Sequence, residues 1–320
     1  MNGNQIKPMP PGWWTDTADC WHRLPNKSFF FALLAAWLAL FQFFGNPILG
    51  YIHTPSLFQW MYNAYNNPAP GADEAHGNFI PFLVAGLFWW KRREMLALPL
   101  KMWHPGLLLL VAATALHVAG YVIQQPRICA VALFAGIYGL MGLAWGREWL
   151  RHSSFPFFFF AFSIPLGGLA DYVTFPLQQL VSWLTEKVAH LFLGIGVIRV
   201  GTQLFDASGT YGFDVQAPCS GIRSLIAIFL LATIFGFMLF RSPRRRLFLM
   251  ALAFPLSVLG NLTRMLLIIV AAEMGGQSWG TYIHEGGPFG IISLVPYVPA
   301  IAGLLIAGRF MEKHDEKKRA

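Results

Sequence analysis

The chain has 320 residues, of which 56% are hydrophobic, 16% aromatic and only 12% charged. Soluble domains carry about 25% charged residues, so this composition argues against a large soluble core. The net charge of +8 is no nucleic-acid footprint, because nearly all the basic residues sit in short loops between apolar runs. Cys20, Cys129 and Cys219 are scattered through different contexts. They predict neither a disulfide framework nor a paired metal motif, and no metal or cofactor is expected.

Residues 1–27 form a polar N-terminal segment with Trp13, Trp14, Lys7, Arg23 and Lys27. No compact signal peptide with a small-residue cleavage site precedes the first apolar run, which is therefore expected to be retained. Apolar runs then recur at about the length needed to cross a bilayer. They predict about eight spans, at 28–45, 78–90, 105–123, 128–146, 155–170, 218–240, 247–272 and 288–308. A backbone in hydrocarbon must satisfy its own hydrogen bonds, so the spans are read as helices. The expected fold is an all-α, polytopic membrane bundle over 28–308, with a basic tail at 309–320. Of the 23 Lys and Arg residues, 18 fall in one set of loops. Arg127, Lys187 and Arg199 fall in the opposite set, and Arg223 and Arg264 lie within spans. This bias places both termini in the cytoplasm, and segments 46–77, 171–217 and 273–287 outside.

Within segment 178–197, Leu180, Trp183, Leu184, Val188, Leu191 and Phe192 draw a helical stripe interrupted by Gln179, Glu186 and Lys187. This predicts a helix lying on or tilted into the outer interface, with a ninth span as the alternative. Gly136, Gly139, Gly142 and Gly146 recur in the fourth span. Small residues let helices approach closely, and packing accounts for these glycines.

Three residues carry candidate chemistry. Arg264 lies inside an apolar run, where a charge is costly and marks a site by default. Asn261 and Ser257 share its helical face. A structural arginine bonded to carbonyls of a neighbouring helix is the alternative. Cys219 follows Pro218 at the start of the sixth span, and proline suits the first helical turn. A thiol at a helix N-terminus has more thiolate character, and Arg223, four residues on, adds to the effect. Gly221 leaves room for a substrate backbone. By contrast, Cys129 and Cys20 read as unreactive. His284, in WGTYIHEGGPFG, is placed in the outer loop between the last two spans and can act as an acid/base. Gly286 and Gly287 allow a tight turn beside it.

At these residues the chain resembles the exosortase/archaeosortase family. The resemblance lies in APCSGIRSL (217–225), which contains Ser220 and Gly221, in GNLTR (260–264), and in the following His284. AHGNFIPFL (75–83) with WWKRRE, and FPLQQL with GIGVIRVG, support it, so that it spans roughly residues 70–308. The family consists of bacterial inner-membrane cysteine transpeptidases. The resemblance implies cleavage, at the outer face, of exported proteins that end in a short Pro-Glu-Pro-like motif, a transmembrane helix and a basic tail. Transfer to an unidentified acceptor follows. Carried over, Cys219 is the nucleophile, Arg264 the transition-state stabiliser and His284 the acid/base. Ser220, Gly221, Arg223, Asn261 and His76 are supporting residues, His76 being the rival of His284. The implied partners are the lipid bilayer and the exported substrates, with no nucleic acid. Two other readings stay open: a transporter or flippase, using Arg264 and Asn261 for an anion, and a noncatalytic factor in exopolysaccharide export.

Overall fold

The structure is a computed structural model that describes residues 13–45, 50–52, 54–67, 74–215, 222–287 and 295–319. It divides into two compact units, one of residues 1–67 with 75–165 and the other of 68–74 with 166–320.

The first unit holds α1 (Trp13–Arg23), α2 (Lys27–Phe43), α3 (Leu57–Tyr65), α4 (Ile80–Leu96), α5 (Gly106–Val122), α6 (Pro126–Trp145) and α7 (Arg147–Phe158). Proline at the first position starts α6, where a missing N–H costs nothing. The core joins Phe30, Trp37 and Phe41 of α2 to Leu133, Leu140 and Trp145 of α6. Lipid gives helices no hydrophobic reason to associate, so packing and interhelical hydrogen bonds must hold them. Here the bonds run from side chains to backbone carbonyls. Trp37 Nε1 donates to Leu133 O at 3.0 Å, Trp145 Nε1 to Pro25 O at 2.8 Å, and Asn26 Nδ2 to Ala144 O at 3.1 Å. The expected glycine contacts appear between α5 and α6. A Cβ on Gly106 would lie 2.8 Å from Gly139 O and 2.7 Å from Leu143 N.

The second unit holds α8 (Asp171–Val188), β1 (Val197–Val200), β2 (Gln203–Asp206), β3 (Gly212–Asp214), α9 (Ile222–Leu239), α10 (Pro243–Glu285) and α11 (Val298–Arg319). The strands form an antiparallel meander in the order β1-β2-β3, with Val197 opposite Asp206 and Gln203 opposite Asp214. The β2–β3 turn closes on Asp206. Hydrogen bonds from Ser208 and Thr210 hold its carboxyl down at about 2. Val197, Leu204, Phe213 and Val215 bury against Met265, Ile268 and Ile269 of α10. A second cluster joins Ile228 and Ala232 of α9, Leu249 and Ala253 of α10, and Ala300 and Leu304 of α11.

The chain is thus an all-α membrane protein with one small sheet that its sequence did not announce. Pro126–Trp145, Pro243–Glu285 and Val295–Glu312 are long and apolar enough to cross a bilayer, and Lys27–Phe43, Gly106–Val122 and Leu225–Leu239 are shorter apolar helices. The run 155–170 is not one helix. The end of α7 gives way to a 3₁₀ stretch at Phe159–Ser163 and another at Gly167–Ala170. Pro165 removes a backbone donor between them, and Gly167 takes a positive φ of 52°. Segment 178–197 is helical only as far as Val188. It then passes through a π turn at Ala189–Leu193 and enters β1 at Val197.

The α5–α6 contact is testable. Gly106→Ala should cost about 1–3 kcal/mol, because the obstructing atoms are backbone and cannot swing away. Gly86, on α4, has nothing within 4 Å of its would-be Cβ. Gly86→Ala should be neutral or stabilising by up to about 1 kcal/mol. Thermal unfolding in detergent measures both, and equal effects would contradict the packing account.

Candidate functional site

The site is built on α10. Ser257, Asn261 and Arg264 are all buried, and Arg264 is only 7% exposed. Spacings of four and three residues place them on one face, as the sequence predicts. On the sequence reading the apolar span of this helix ends at 272. Gly276 then takes φ 74°, ψ −172°, a conformation essentially reserved to glycine. The helix breaks there, and residues 277–285 continue as a separate short segment.

The break has a measurable result. In a straight helix Arg264 and His284 would stand about 30 Å apart. Instead Arg264 Nη2 donates to the backbone carbonyl of His284 at 3.0 Å. The chain therefore doubles back and caps the buried guanidinium. His284 consequently lies in the last turn of a helix rather than in the expected loop. Gly286 and Gly287 follow it with φ of 90° and 61°. They close the turn through bonds from Gly286 N to Ile283 O and from Gly287 N to Tyr282 O.

β3 and Tyr211, the residue just before it, are fastened to both sides of the break. Before it, Tyr211 donates to Glu273 at 3.1 Å. After it, Gln277 bonds both backbone groups of Gly212, at 2.9 and 3.3 Å. The Phe213 ring stacks over the His284 imidazole, with centroids 6.4 Å apart at 25°. Gly280 permits this approach, since a Cβ there would meet the Phe213 ring at 2.4 Å. Beyond the span, burial, and then the nearby Arg264 charge, push the His284 imidazole below its ordinary range, with Glu285 opposing. Tyr211 is pushed upward by burial and by its bond to Glu273.

The structure brings Asn261, Arg264 and His284 into one corner of the second unit. It adds Tyr297, whose hydroxyl donates to Asn261 Oδ1 at 3.3 Å. Cys219, Ser220 and Gly221 lie outside the described residues, as does the Arg223 side chain, although its backbone is in the first turn of α9. His76 sits half-buried in the short turn Ala75–Asn78 of the first unit. Sequence reasoning missed Tyr297, Phe213 and Gln277. A tyrosine beside an apolar run reads as an interface anchor, and the strand contacts leave no spacing signal.

The family model of the transmembrane exosortases matches residues 67–301. The chain belongs to the transmembrane exosortase family. No curated protein and no solved structure matches it. The part that matches the exosortases contains β3, the whole of α10 and Tyr297, and so includes every group of this corner.

Because Arg264 bonds the His284 backbone, the two residues have separable roles in holding the fold. A hydrogen bond from a charged donor contributes about 1.5–3 kcal/mol. Arg264→Leu should therefore speed amide exchange across 277–287 by at least about tenfold, whereas His284→Ala should leave it near wild type. Fast exchange in His284→Ala and not in Arg264→Leu would refute the tie.

Proposed function

We propose that this exosortase is a cysteine-type membrane peptidase and transpeptidase. Its substrates are exported proteins ending in a short motif, a transmembrane helix and a basic tail, which it cleaves at the outer face of the bacterial inner membrane. The observation that carries the reading is the bond between buried Arg264 and the His284 carbonyl. It puts a permanent guanidinium and an imidazole with a lowered proton affinity beside the strand that leads to Cys219. Asp214, the last residue of β3, is five residues from Cys219 in sequence, a reach of at most about 17 Å.

In this reading His284 takes the Cys219 proton, and the thiolate attacks the scissile carbonyl carbon. Arg264, with Asn261 beside it, stabilises the oxyanion. The C–N bond breaks, the leaving amine takes the proton from His284, and a thioester remains. An acceptor amine then attacks the thioester and gives a proton to His284; this displaces the thiolate, forms the new amide and, as the proton returns to sulfur, restores the thiol. Water in its place yields a carboxylate. Ser220, Gly221 and Arg223 flank the nucleophile in sequence and are assigned supporting roles, as is His76.

The decisive experiment is single-turnover cleavage of a helix-anchored substrate with a Pro-Glu-Pro motif, in nanodiscs. Cys219→Ala should abolish it while Cys20→Ala and Cys129→Ala retain it. Normal cleavage by Cys219→Ala would overturn cysteine catalysis and leave the transporter and assembly-factor readings. Arg264→Lys should lose about a hundredfold or more, comparable to removing one oxyanion donor, because a single ammonium cannot replace the planar fork. Cleavage by Arg264→Lys within about threefold of wild type refutes that role.

The pH profile gives a second check. The neutral imidazole is the base, so the rate rises with pH through the folded His284 pKa. That pKa is depressed, and the acid limb should therefore fall below the ordinary histidine value of about 6.5. Glu285→Gln removes the carboxylate that opposes the shift and should move the limb lower still. A limb at or above the ordinary value contradicts the assignment. Sidedness follows from the Lys/Arg bias. In a Cys-free background, Asn66→Cys should react with an impermeant thiol reagent in intact spheroplasts, and Ser242→Cys only after permeabilisation. The reverse pattern would place the site in the cytoplasm.

A further inference from the structure

The meander of the second unit has two apolar faces, and the core accounts for only one. Antiparallel partners point their side chains to the same side of a sheet, and successive residues point to opposite sides. Val197, Leu204 and Phe213 point inward and bury against Met265, Ile268 and Ile269 of α10. Ile198, with Phe205 opposite it, and Val200 point outward. All three are exposed, Val200 by 60%. The chain enters β1 from the π turn Ala189–Leu193, which exposes three large apolar side chains in succession, Leu191, Phe192 and Leu193, with Phe192 at 79%. Ile195 N donates to Ala189 O and Ala207 N to Gly196 O, and these bonds fasten the turn to the end of the hairpin.

A surface of this kind marks a contact, and two observations point to the bilayer. The first is depth. The α10 residues that the inner face covers, 265–269, stand three to seven residues before 272, where the apolar span ends on the sequence reading. At 1.5 Å per residue the sheet packs about 5–10 Å inside the end of that span. The second is the polar rim. Gln203 shares the outward face, at the turn, and bonds Asp214 at 3.1 Å. Arg199 bonds Gln179 of α8 at 3.1 Å and pairs with Glu186 at 3.8 Å. Apolar side chains rimmed by charges suit the boundary between headgroups and acyl chains, into which such elements sink by about 5–10 Å. β1 is an edge strand, and a strand edge is tolerated at that boundary but not in the hydrocarbon.

We propose that the π turn and the outward face of the meander form a membrane-insertion surface, sunk into the leaflet at the Ala272 end of α10. Leu191, Phe192 and Leu193 reach the acyl chains, and Ile198, Val200 and Phe205 lie along the boundary. The surface holds the meander, and with it β3, at the height where a membrane-anchored chain emerges from the lipid. It does not depend on the chemistry assigned to Cys219.

Nitroxide labels on single cysteines in a Cys-free background test this, with the full chain at one copy per nanodisc. Access of oxygen, which partitions into lipid, is compared with access of a water-soluble nickel chelate. The ratio of oxygen to chelate access should be at least about fivefold higher for labels at Phe192→Cys and Ile198→Cys than for one at Ser208→Cys, in the polar β2–β3 turn. Thermal unfolding shows whether each variant has folded, and Leu191→Cys and Val200→Cys replace either one that has not. Chelate access at 192 and 198 equal to that at 208 puts the surface in water and overturns the proposal. Protection from both reagents also overturns it, because another part of the chain then covers the surface. So does lipid access that is lost whenever two chains share a disc, which makes the surface a contact between copies.

Discussion

A guanidinium that cannot be discharged sits in an apolar helix, and the second unit is organised around satisfying it. Arginine keeps its proton even when desolvated, so burial at Arg264 has to be offset by acceptors. One acceptor is the His284 carbonyl, twenty residues along the same chain. A straight helix could never deliver it. The break at Gly276 is what lets the chain bring that carbonyl back to the buried charge, and a side chain at that φ would be strained. Once the chain doubles back, segment 277–285 needs a surface to lie on. The meander supplies one through Phe213, Gln277 and the close approach at Gly280.

This dependence explains what could be read from the sequence. Ser257, Asn261 and Arg264 were legible because they are local to one helix, and helical arithmetic places them on one face. His284 was legible only as a residue at the outer end of a neighbouring element. Its contact with Arg264 runs through a carbonyl, which every residue carries and no sequence pattern marks. The meander was hidden for a different reason. Its strands are three or four residues long, too short for alternation to stand out between two helical stripes. Tyr297 was hidden because its contact to Asn261 crosses 36 residues.

The run 155–170 shows the limit of hydropathy itself. Its phenylalanines give it the composition of a span, but composition does not report whether the backbone can keep an unbroken ladder of hydrogen bonds. Pro165 and Gly167 interrupt the ladder, and the chain turns through two 3₁₀ stretches instead. Phe159 is nevertheless fully buried, and Phe160 stacks on Phe134 of α6 at 4.6 Å. The aromatic content serves packing inside the first unit rather than length across a bilayer. The glycines of α6 illustrate the converse, since a pattern that marks close helix approach was read correctly from spacing alone.

His284 divides its work between main chain and side chain. The carbonyl is committed to Arg264, and the C-terminal turn through Gly286 and Gly287 fixes where that carbonyl points. The imidazole is oriented separately, by the Phe213 ring of β3. β3 in turn is tied to the helix after the break through Gln277, and Tyr211 just ahead of the strand is tied to Glu273 before it. Strand, kinked helix and imidazole thus form one mechanical piece, and none of its ties uses the imidazole nitrogens. Among the described residues the ring is thus held in place without a bond to its nitrogens, which suits the proposed acid/base role. A purely structural arginine needs only a carbonyl from any neighbouring helix. Taking that carbonyl from the residue that carries the imidazole couples the buried charge to the group proposed for proton transfer. That coupling is the strongest physical reason to treat Arg264 as part of the site rather than of the scaffold.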